Sequence, residues 1–298
     1  MPQYLSGTSG ALRAALAVAI SLAPAQASAA DPDAVARGAY LADAAGCANC
    51  HTDSAHGGQP YAGGLALATP FGTFYTPNIT PDPQTGIGRW TDAQFLRALR
   101  EGVRPDGANY FPVFPYTSFT GIADEDARAI KAFLFSQPAV HQANRPHDVS
   151  FPFSWRFLQD GWKLLFFNRG PFRPAPDRSA AYNRGAYLVS ALAHCGECHT
   201  PRNWLGATEP DAFLSGTPDG PDGKKVPNIT PDRKTGIGNW TEVDIVGVLT
   251  DGHTPDFDEV GGLMREVVKD TARLTEEDRR AIVAYLQSVP PKPFAGQK

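Results

Sequence analysis

All four cysteines of this 298-residue chain fall into two copies of one five-residue unit, Cys-x-x-Cys-His, at 47–51 and 195–199. Two thiols three positions apart lie on one side of a helical turn, where they can add to the two vinyl groups of one porphyrin. The histidine that follows then supplies the proximal nitrogen to the iron. The motif therefore predicts two covalently bound haem c groups. Their binding residues are Cys47, Cys50, His51, Cys195, Cys198 and His199.

Two other uses of cysteine and histidine compete with haem attachment. A zinc site accepts both residue types, but each unit offers only three ligands. A thioredoxin-like redox pair has no need of the histidine that follows it. Because two complete units use every cysteine of the chain, we place haem attachment well above both alternatives.

The first thirty residues have the pattern of a secretory signal peptide. Arg13 precedes an apolar run over 14–23, and small residues end the segment as A-S-A-A at 27–30. The apolar run is too short to span a bilayer well, so an N-terminal membrane anchor is the weaker alternative. We therefore expect cleavage after 1–30 and a periplasmic location, and the sequence leaves open whether the protein is also attached to the membrane surface.

The remainder of the chain is an internal duplication. The run P-N-I-T-P-D-P-Q-T-G-I-G-R-W-T at 77–91 returns at 227–241 with three substitutions. Arg-Gly-Ala-Tyr-Leu also occurs twice, at 37–41 and 184–188. Each half thus carries the same order of motifs around one Cys-x-x-Cys-His unit.

Capping signals and apolar spacing predict matching helices in the two halves. Thr91 with Gln94 forms a capping box before a helix over 92–100, and Thr241 precedes its counterpart. Apolar spacing predicts a helix over 124–135, and Thr275 opens a matching helix that Pro290 ends.

These motifs predict an all-α fold with long ordered loops. We expect a first cytochrome c-like domain over 31–140 and a second over 180–298, joined by an aromatic-rich linker over 141–179. The loops follow from the 29 glycines and 27 prolines of the chain. A buried porphyrin would serve each small domain as a large part of its apolar core.

Methionine supplies a sixth iron ligand for the second half only. Once residues 1–30 are removed, Met264 is the one methionine left, in a glycine-rich stretch before the last helix. A thioether opposite histidine favours ferrous iron and raises its reduction potential. We therefore predict His199 and Met264 as the axial pair of the second haem, with core packing as the alternative use of Met264.

The first half has no methionine at the matching place. Phe114 lies as far beyond Trp90 as Met264 lies beyond Trp240, and alignment by the last helices gives Pro112 instead. The other candidates for this position are His56, His141 and His147. For each of them an exposed loop position is the simpler interpretation. An open iron, bound water or a ligand from elsewhere also stays possible.

With these residues in view, the chain resembles the multi-haem cytochrome c subunits of bacterial membrane-associated dehydrogenases. The similarity lies in the paired haem units, the repeated P-N-I-T-P-D segments, F-P-Y-T-S-F at 114–119 and C-H-T-P-R-N at 198–203. Such subunits serve alcohol, aldehyde, sorbitol, gluconate and nicotinate dehydrogenases. The resemblance implies that His51 and His199 are proximal ligands, that Met264 is distal, and that many members have methionine where this chain has Phe114.

The same resemblance implies an electron relay from a catalytic dehydrogenase subunit to a quinone, a cytochrome or a terminal oxidase. Better-known members carry a third haem and a C-terminal amphipathic segment, and neither is found in this chain. We therefore expect a dihaem subunit, without a catalytic residue of its own. Nucleic acid is not an expected partner, because the formal net charge is −4.

Two repeated side chains are candidates for contact with the haem propionates. Amide and indole N–H groups can donate to carboxylates, and they recur as Asn78, Trp90, Asn228 and Trp240. The alternative is that asparagine and tryptophan only organise and pack the loop. The sequence favours neither interpretation.

The segment 151–172 concentrates aromatic and basic side chains. It is either a dock for a membrane or a partner subunit, or a strip that joins the two domains and shields the haem edges. We prefer the second interpretation.

Three functions are compatible with these residues. Electron transfer from a dehydrogenase is the best supported. The alternative is a haem enzyme, peroxidase-like or thiosulfate-dehydrogenase-like, with an open catalytic first haem and the second as its electron port. The distal stretch 108–122 contains no histidine or glutamate to serve as an acid–base group, which weakens this alternative. A redox sensor ranks last.

Overall fold

The computed structural model describes residues 1–3 and 31–296. The signal-peptide prediction therefore falls almost entirely outside the described residues. Two helical units follow one another along the described chain, and the segment 141–179 runs between them.

The first unit contains five helices. The longest two are the first and the last, and they pack against each other. The helices are α1 (Pro32–Ala44), α2 (Cys47–His51), α3 (Asp92–Glu101), α4 (Tyr116–Phe119) and α5 (Asp124–Ser136). The capping box of Thr91 and Gln94 is confirmed at the start of α3, and Gly102 ends that helix in the left-handed region, at φ 61°.

The second unit repeats this arrangement after a connecting helix, α6 (Leu158–Phe166). Its helices are α7 (Ala180–Tyr187), α8 (Gly196–His199), α9 (Glu242–Asp251), α10 (Leu263–Thr271) and α11 (Glu276–Leu286). Helix α11 packs against α7 as α5 packs against α1. The predicted helices α3, α5, α9 and α11 are thus confirmed within one or two residues. The short α4 and the longer α10 are not predicted by the sequence patterns.

The second repeat has one residue more than the first between its arginine and its haem unit. Ten positions lead from Arg37 to Cys47, but eleven lead from Arg184 to Cys195. The extra residue is taken up where α7 continues into a π-helical turn over Leu188–Leu192. An added residue inside a helix is accommodated by one wider turn of this kind.

The all-α prediction is too narrow. The described residues contain a small antiparallel sheet of three strands, β1 (Ala66–Thr69), β2 (Gly72–Tyr75) and β3 (Asp148–Val149). Strands β1 and β2 form a hairpin, with Ala66 opposite Tyr75, and Thr73 pairs with Asp148 of β3. These strands are short, and β3 belongs to the connecting segment, so no alternation of polar and apolar residues in the sequence predicts them.

Glycine permits the close crossing of the long helices in each unit. A Cβ atom on Gly38 of α1 would lie 1.9 Å from the carbonyl oxygen of Ala129 in α5. A Cβ atom on Gly185 of α7 would lie 1.8 Å from the carbonyl oxygen of Ala281 in α11. The repeated Arg-Gly-Ala-Tyr motif therefore places a glycine at the contact between two backbones.

The same motif joins the two units through two buried carboxylates. In the first unit, Arg37 Nε donates to Asp126 Oδ1 at 3.0 Å, and the hydroxyl of Tyr187 from the second unit donates to Asp126 Oδ2 at 2.6 Å. This aspartate is thus shared between an arginine of its own unit and a tyrosine of the other.

The second carboxylate repeats this arrangement in reverse. Arg184 Nε donates to Asp278 Oδ1 at 2.7 Å, and the hydroxyl of Tyr40 from the first unit donates to Asp278 Oδ2 at 2.5 Å. The two contacts are related by an approximate twofold exchange, and together they fix how one unit lies on the other.

Substitution of Gly185 tests the helix crossing. Gly185→Ala should lower the free energy of unfolding by about 3 kcal/mol or more, because the methyl group would overlap a backbone oxygen that cannot move independently. Gly247→Ala in α9 is the matched control, since no atom lies within 4 Å of the position that its Cβ atom would take. That variant should be neutral or stabilised by up to about 1 kcal/mol. Thermal unfolding of both variants measures the difference, and equal stabilities would contradict the crossing.

Removal of the tyrosine hydroxyls tests the shared carboxylates. Tyr187→Phe and Tyr40→Phe should each lower the free energy of unfolding by about 1.5 to 3 kcal/mol, since each loses a hydrogen bond to a buried charged group. Tyr182→Phe is the control on the same helix as Tyr187, because among the described residues its hydroxyl has no acceptor. Denaturant titration gives the values, and a loss no larger than that of Tyr182→Phe would argue against the contacts.

Candidate functional site

Both Cys-x-x-Cys-His units lie on short helices, α2 and α8, as their spacing predicts. None of the four cysteines is paired in a disulfide, so each sulfur is available for a thioether bond to a porphyrin vinyl group.

The two histidines are oriented in the same way by carbonyl groups. Nδ1 of His51 donates to the backbone oxygen of Pro77, and Nδ1 of His199 donates to that of Pro227, both at 2.8 Å. A proton on Nδ1 leaves the lone pair of Nε2 free, which is the form that binds a metal. Burial also lowers the pKa of both imidazoles and keeps them neutral. The residues present therefore fit two haem groups.

The repeated P-N-I-T-P-D segments supply those carbonyl groups, a role that the sequence analysis missed. Pro77 and Pro227 are the first residues of the two copies, 26 and 28 positions beyond their histidines. The sequence did contain a signal for this role, because each copy of the repeat begins at the proline and not at the asparagine. Backbone oxygens carry no side-chain signature, so only the repeat boundary could have indicated them.

The side chains of Asn78 and Asn228 hold their own loops together. Oδ1 of Asn78 accepts from the backbone and the hydroxyl of Thr80, and Nδ2 donates to Thr85 and to the carbonyl oxygen of Val140. Asn228 makes the same contacts with Thr230, Thr235 and Lys292. Both amides are thus engaged within the protein, and each pins the chain that leaves the last helix of its unit.

The indole groups of Trp90 and Trp240 differ from these amides. Each tryptophan is half-buried against the core of its unit. Among the described residues neither indole nitrogen has a hydrogen-bond acceptor. Contact with a propionate therefore stays a prediction for the two tryptophans, whereas the geometry favours the loop-organising interpretation for the two asparagines.

Met264 is the second residue of α10, and α10 packs against α9. Its side chain is half-buried. In the first unit, Phe114 occupies the aligned position just before α4, where its ring packs against Tyr110 at 5.3 Å and Phe119 at 5.9 Å. An apolar aromatic cluster therefore stands in the first unit where the second offers a thioether.

None of the three other histidine candidates of the first half is positioned to ligate the first iron. Nδ1 of His147 accepts from the backbone N–H of Tyr75 at 3.2 Å, so its proton lies on Nε2 and that nitrogen has no free lone pair. His56 pairs with Asp53, and His141 lies 3.5 Å from Asp82. Both are mainly exposed to solvent.

Each Cys-x-x-Cys-His segment contacts the opposite helical unit of the protein. Nδ2 of Asn49, inside the first Cys-x-x-Cys-His, donates to Asp270 Oδ2 in α10 at 2.6 Å. Glu197 holds the equivalent position in the second haem unit and accepts from the hydroxyls of Thr117 and Ser118 at 2.9 and 2.8 Å. Each haem helix is thus anchored to the segment that precedes the last helix of the other unit.

Comparison with known proteins places the chain in a family. A model described as cytochrome c matches residues 35–138 and 182–290. The chain belongs to the cytochrome c family.

Three relatives cover most of this chain. A "Diheme cytochrome c-type" protein of Cereibacter sphaeroides is 46% identical over 259 residues, which are 85% of each protein. A nicotinate dehydrogenase subunit of Pseudomonas putida is 45% identical over 87% of this chain, and the fructose dehydrogenase cytochrome subunit of Gluconobacter japonicus is 41% identical over 88%. The match spans only 22% and 54% of these last two proteins.

In the part of the chain that the structure describes, no helix is both long and apolar enough to cross a bilayer.

Asp270 gives the contact between haem unit and opposite domain a pH dependence. Burial raises its pKa to about 6, above its ordinary value of 3.8. Between about pH 4 and pH 6, Asp270 therefore keeps its proton in the folded state but has lost it in the unfolded state. The free energy of unfolding falls as the pH rises through this range.

Asp270→Asn should remove this effect. The variant keeps an acceptor for Asn49, so it should match the parent near pH 4 and exceed it by about 2 to 3 kcal/mol at pH 8. Asp256→Asn, at an exposed loop position, is the control and should leave the pH profile unchanged. Unfolding midpoints across this pH range measure both, and parallel profiles for Asp270→Asn and the parent would contradict the assignment.

Proposed function

We propose that this protein is a dihaem electron-transfer subunit that receives electrons from a periplasmic dehydrogenase and passes them towards the respiratory chain. The observation that carries the proposal is the pair of Cys-x-x-Cys-His helices, each with a histidine whose Nδ1 is fixed by a proline carbonyl group. The names of the relatives support it, since they are cytochrome subunits of fructose, alcohol and gluconate dehydrogenases.

The chain's own residues bind and orient the cofactors in this proposal. Each haem, when bound, supplies an iron that exchanges one electron between its ferrous and ferric forms. Cys47, Cys50, Cys195 and Cys198 attach the two porphyrins, and His51 and His199 ligate the irons. The carbonyl groups of Pro77 and Pro227 hold the imidazole rings in place, so that little reorganisation accompanies a change of charge.

Met264 is the proposed distal ligand of the second iron. It lies in the first turn of α10, which also carries Asp270, and Asp270 accepts a hydrogen bond from Asn49 of the other haem unit. A thioether ligand raises the reduction potential of its iron relative to a nitrogen or oxygen ligand. The second half is therefore the proposed high-potential end of the relay.

The first iron has no strong distal ligand from its own half in this proposal. Phe114 cannot ligate, and the hydrogen bond from Tyr75 leaves His147 in the wrong tautomer. This observation keeps the haem-enzyme function as a second candidate. A relay remains the better proposal, because the aromatic stretch around Phe114 offers no histidine or carboxylate as a proton donor.

Electron counting and carbon monoxide binding test these proposals together. A reductive titration of the oxidised holoprotein should take up two electrons per chain. The reduced protein should bind one carbon monoxide per chain, and low-temperature EPR of the oxidised form should show one high-spin and one low-spin iron.

Two outcomes would count against this account. Two low-spin signals without carbon monoxide binding would mean that the first iron has a strong sixth ligand. Peroxide or thiosulfate turnover at enzymatic rates would replace the relay with the haem-enzyme function.

Substitution of Met264 tests the axial assignment. Met264→Ala should lower the reduction potential of one of the two haems and leave that of the other unchanged, because only the second iron loses its thioether. Leu263→Ala, at the exposed neighbouring position, is the control and should move neither potential. Spectroelectrochemical titration resolves the two waves, and an unchanged profile in Met264→Ala would remove Met264 from the site.

A further inference from the structure

Helix α6 of the connecting segment turns its polar side chains inward. Gln159 is buried, and Nζ of Lys163 donates to the carbonyl oxygens of Glu101 and Gly102 at 2.7 and 2.9 Å. The indole N–H of Trp162 donates to the carbonyl oxygen of Leu205 in the second unit at 3.0 Å. The protein-facing side of α6 therefore carries polar groups beside the ring of Trp162, which packs on Tyr116 at 6.4 Å.

The solvent-facing side of α6 is apolar. Leu164 is 87% exposed and Leu165 is 70% exposed, and Leu158 lies on the same side of the helix. A surface helix of a water-soluble protein places its apolar stripe on the core and its polar residues in water. Helix α6 instead exposes leucines on its outer side and ties Lys163 to the protein, so its outer side favours an apolar environment.

The turn that precedes α6 extends this apolar surface. Phe151 is 71% exposed, and its ring packs edge-on against Trp155 at 4.9 Å, with Phe157 next to Trp155. The turn is held firmly, because Arg156 donates to the carbonyl oxygen of Asn109 at 2.7 Å. We define the docking surface as the exposed side chains of Phe151, Phe153, Trp155, Phe157, Leu158, Leu164 and Leu165.

This finding corrects one part of the sequence interpretation. Trp162 does join the two units, and Phe172 packs on Tyr187 of the second unit at 5.6 Å. Phe153 also packs on the first unit, with its ring 4.9 Å from that of Phe71. Phe151, Trp155 and Phe157 instead pack on one another and are exposed to solvent.

The charge around the docking surface differs in sign from that of the protein. Residues 149–176 contain four basic side chains (Arg156, Lys163, Arg169 and Arg173) and one acidic side chain (Asp160), whereas the whole chain has a formal net charge of −4. Arg156 and Lys163 bind backbone oxygens of the protein, whereas Arg169 and Arg173, which follow α6, are exposed. Arg169 lies 3.5 Å from Glu101. The segment is thus both apolar and basic within an acidic protein.

We propose that the docking surface lies on a lipid bilayer that contains anionic headgroups. Leu164 and Leu165 project from the surface, and fluid acyl chains accept projecting side chains without a matching groove. Tryptophan and phenylalanine favour the headgroup level, and the exposed Arg173 pairs with a lipid phosphate. The proposal concerns where the protein lies and does not depend on its redox role.

Co-sedimentation with vesicles tests this proposal. The purified mature holoprotein is mixed with vesicles of phosphatidylcholine and phosphatidylglycerol, and separately with phosphatidylcholine alone. We expect pelleting with the mixed vesicles, weaker pelleting with phosphatidylcholine, and a decrease as salt is added. The double variant Leu164→Ser, Leu165→Ser should reduce partitioning at least about tenfold.

A matched double variant supplies the control. Val243→Ser with Phe257→Ser removes two exposed apolar side chains from the second unit, outside the docking surface, and should bind vesicles as the parent does. Haem content and unfolding midpoint confirm that each variant is folded.

Several results would overturn the proposal. These are failure of the parent protein to pellet with either vesicle, and equal binding by the leucine double variant and the parent. A leucine double variant that binds vesicles normally but separates from its dehydrogenase during purification would assign the surface to a protein partner instead.

Discussion

Two buried carboxylates determine how the halves of this protein lie together. Asp126 and Asp278 each accept from an arginine of their own unit and from a tyrosine of the other. A buried carboxylate is costly unless its oxygens are paired, so each unit completes the hydrogen bonding of its partner. One repeated motif, Arg-Gly-Ala-Tyr, supplies both kinds of donor and the glycine of the helix crossing, which links the packing within a unit to the packing between units.

This arrangement carries directly into the cofactor sites. With the units fixed, Asn49 and Glu197 extend from the two haem helices to the opposite unit, where they meet Asp270 and the hydroxyls of Thr117 and Ser118. The two haem helices therefore face a common interface instead of lying at opposite ends of the molecule. For a protein proposed to move electrons within one chain, the interface then has a functional purpose besides stability, because it sets the relative position of the two attachment sites.

The sequence predicted what depends on local pattern. Helices α3, α5, α9 and α11 follow from caps and apolar spacing, and the haem attachment follows from side chains whose spacing is itself the signal. It did not predict the proline carbonyl groups that orient the histidines, the sheet completed by β3 or the exchange of Tyr40 and Tyr187, since these depend on contacts between distant segments. Leu164 and Leu165 carry no signal of their own in the sequence, and only the structure shows that they face outward while Lys163 faces the protein.

In the proposed function, the interface holds the two haem attachment sites in place for electron transfer within a single chain. Pulse reduction of the oxidised holoprotein at less than one electron per chain measures it directly, with the two haems followed by their separate spectra. Reduction of one haem should be followed by first-order redistribution of the electron to the other, at a rate independent of protein concentration. A redistribution rate that rises in proportion to protein concentration would mean that electrons move between molecules, and it would contradict this account.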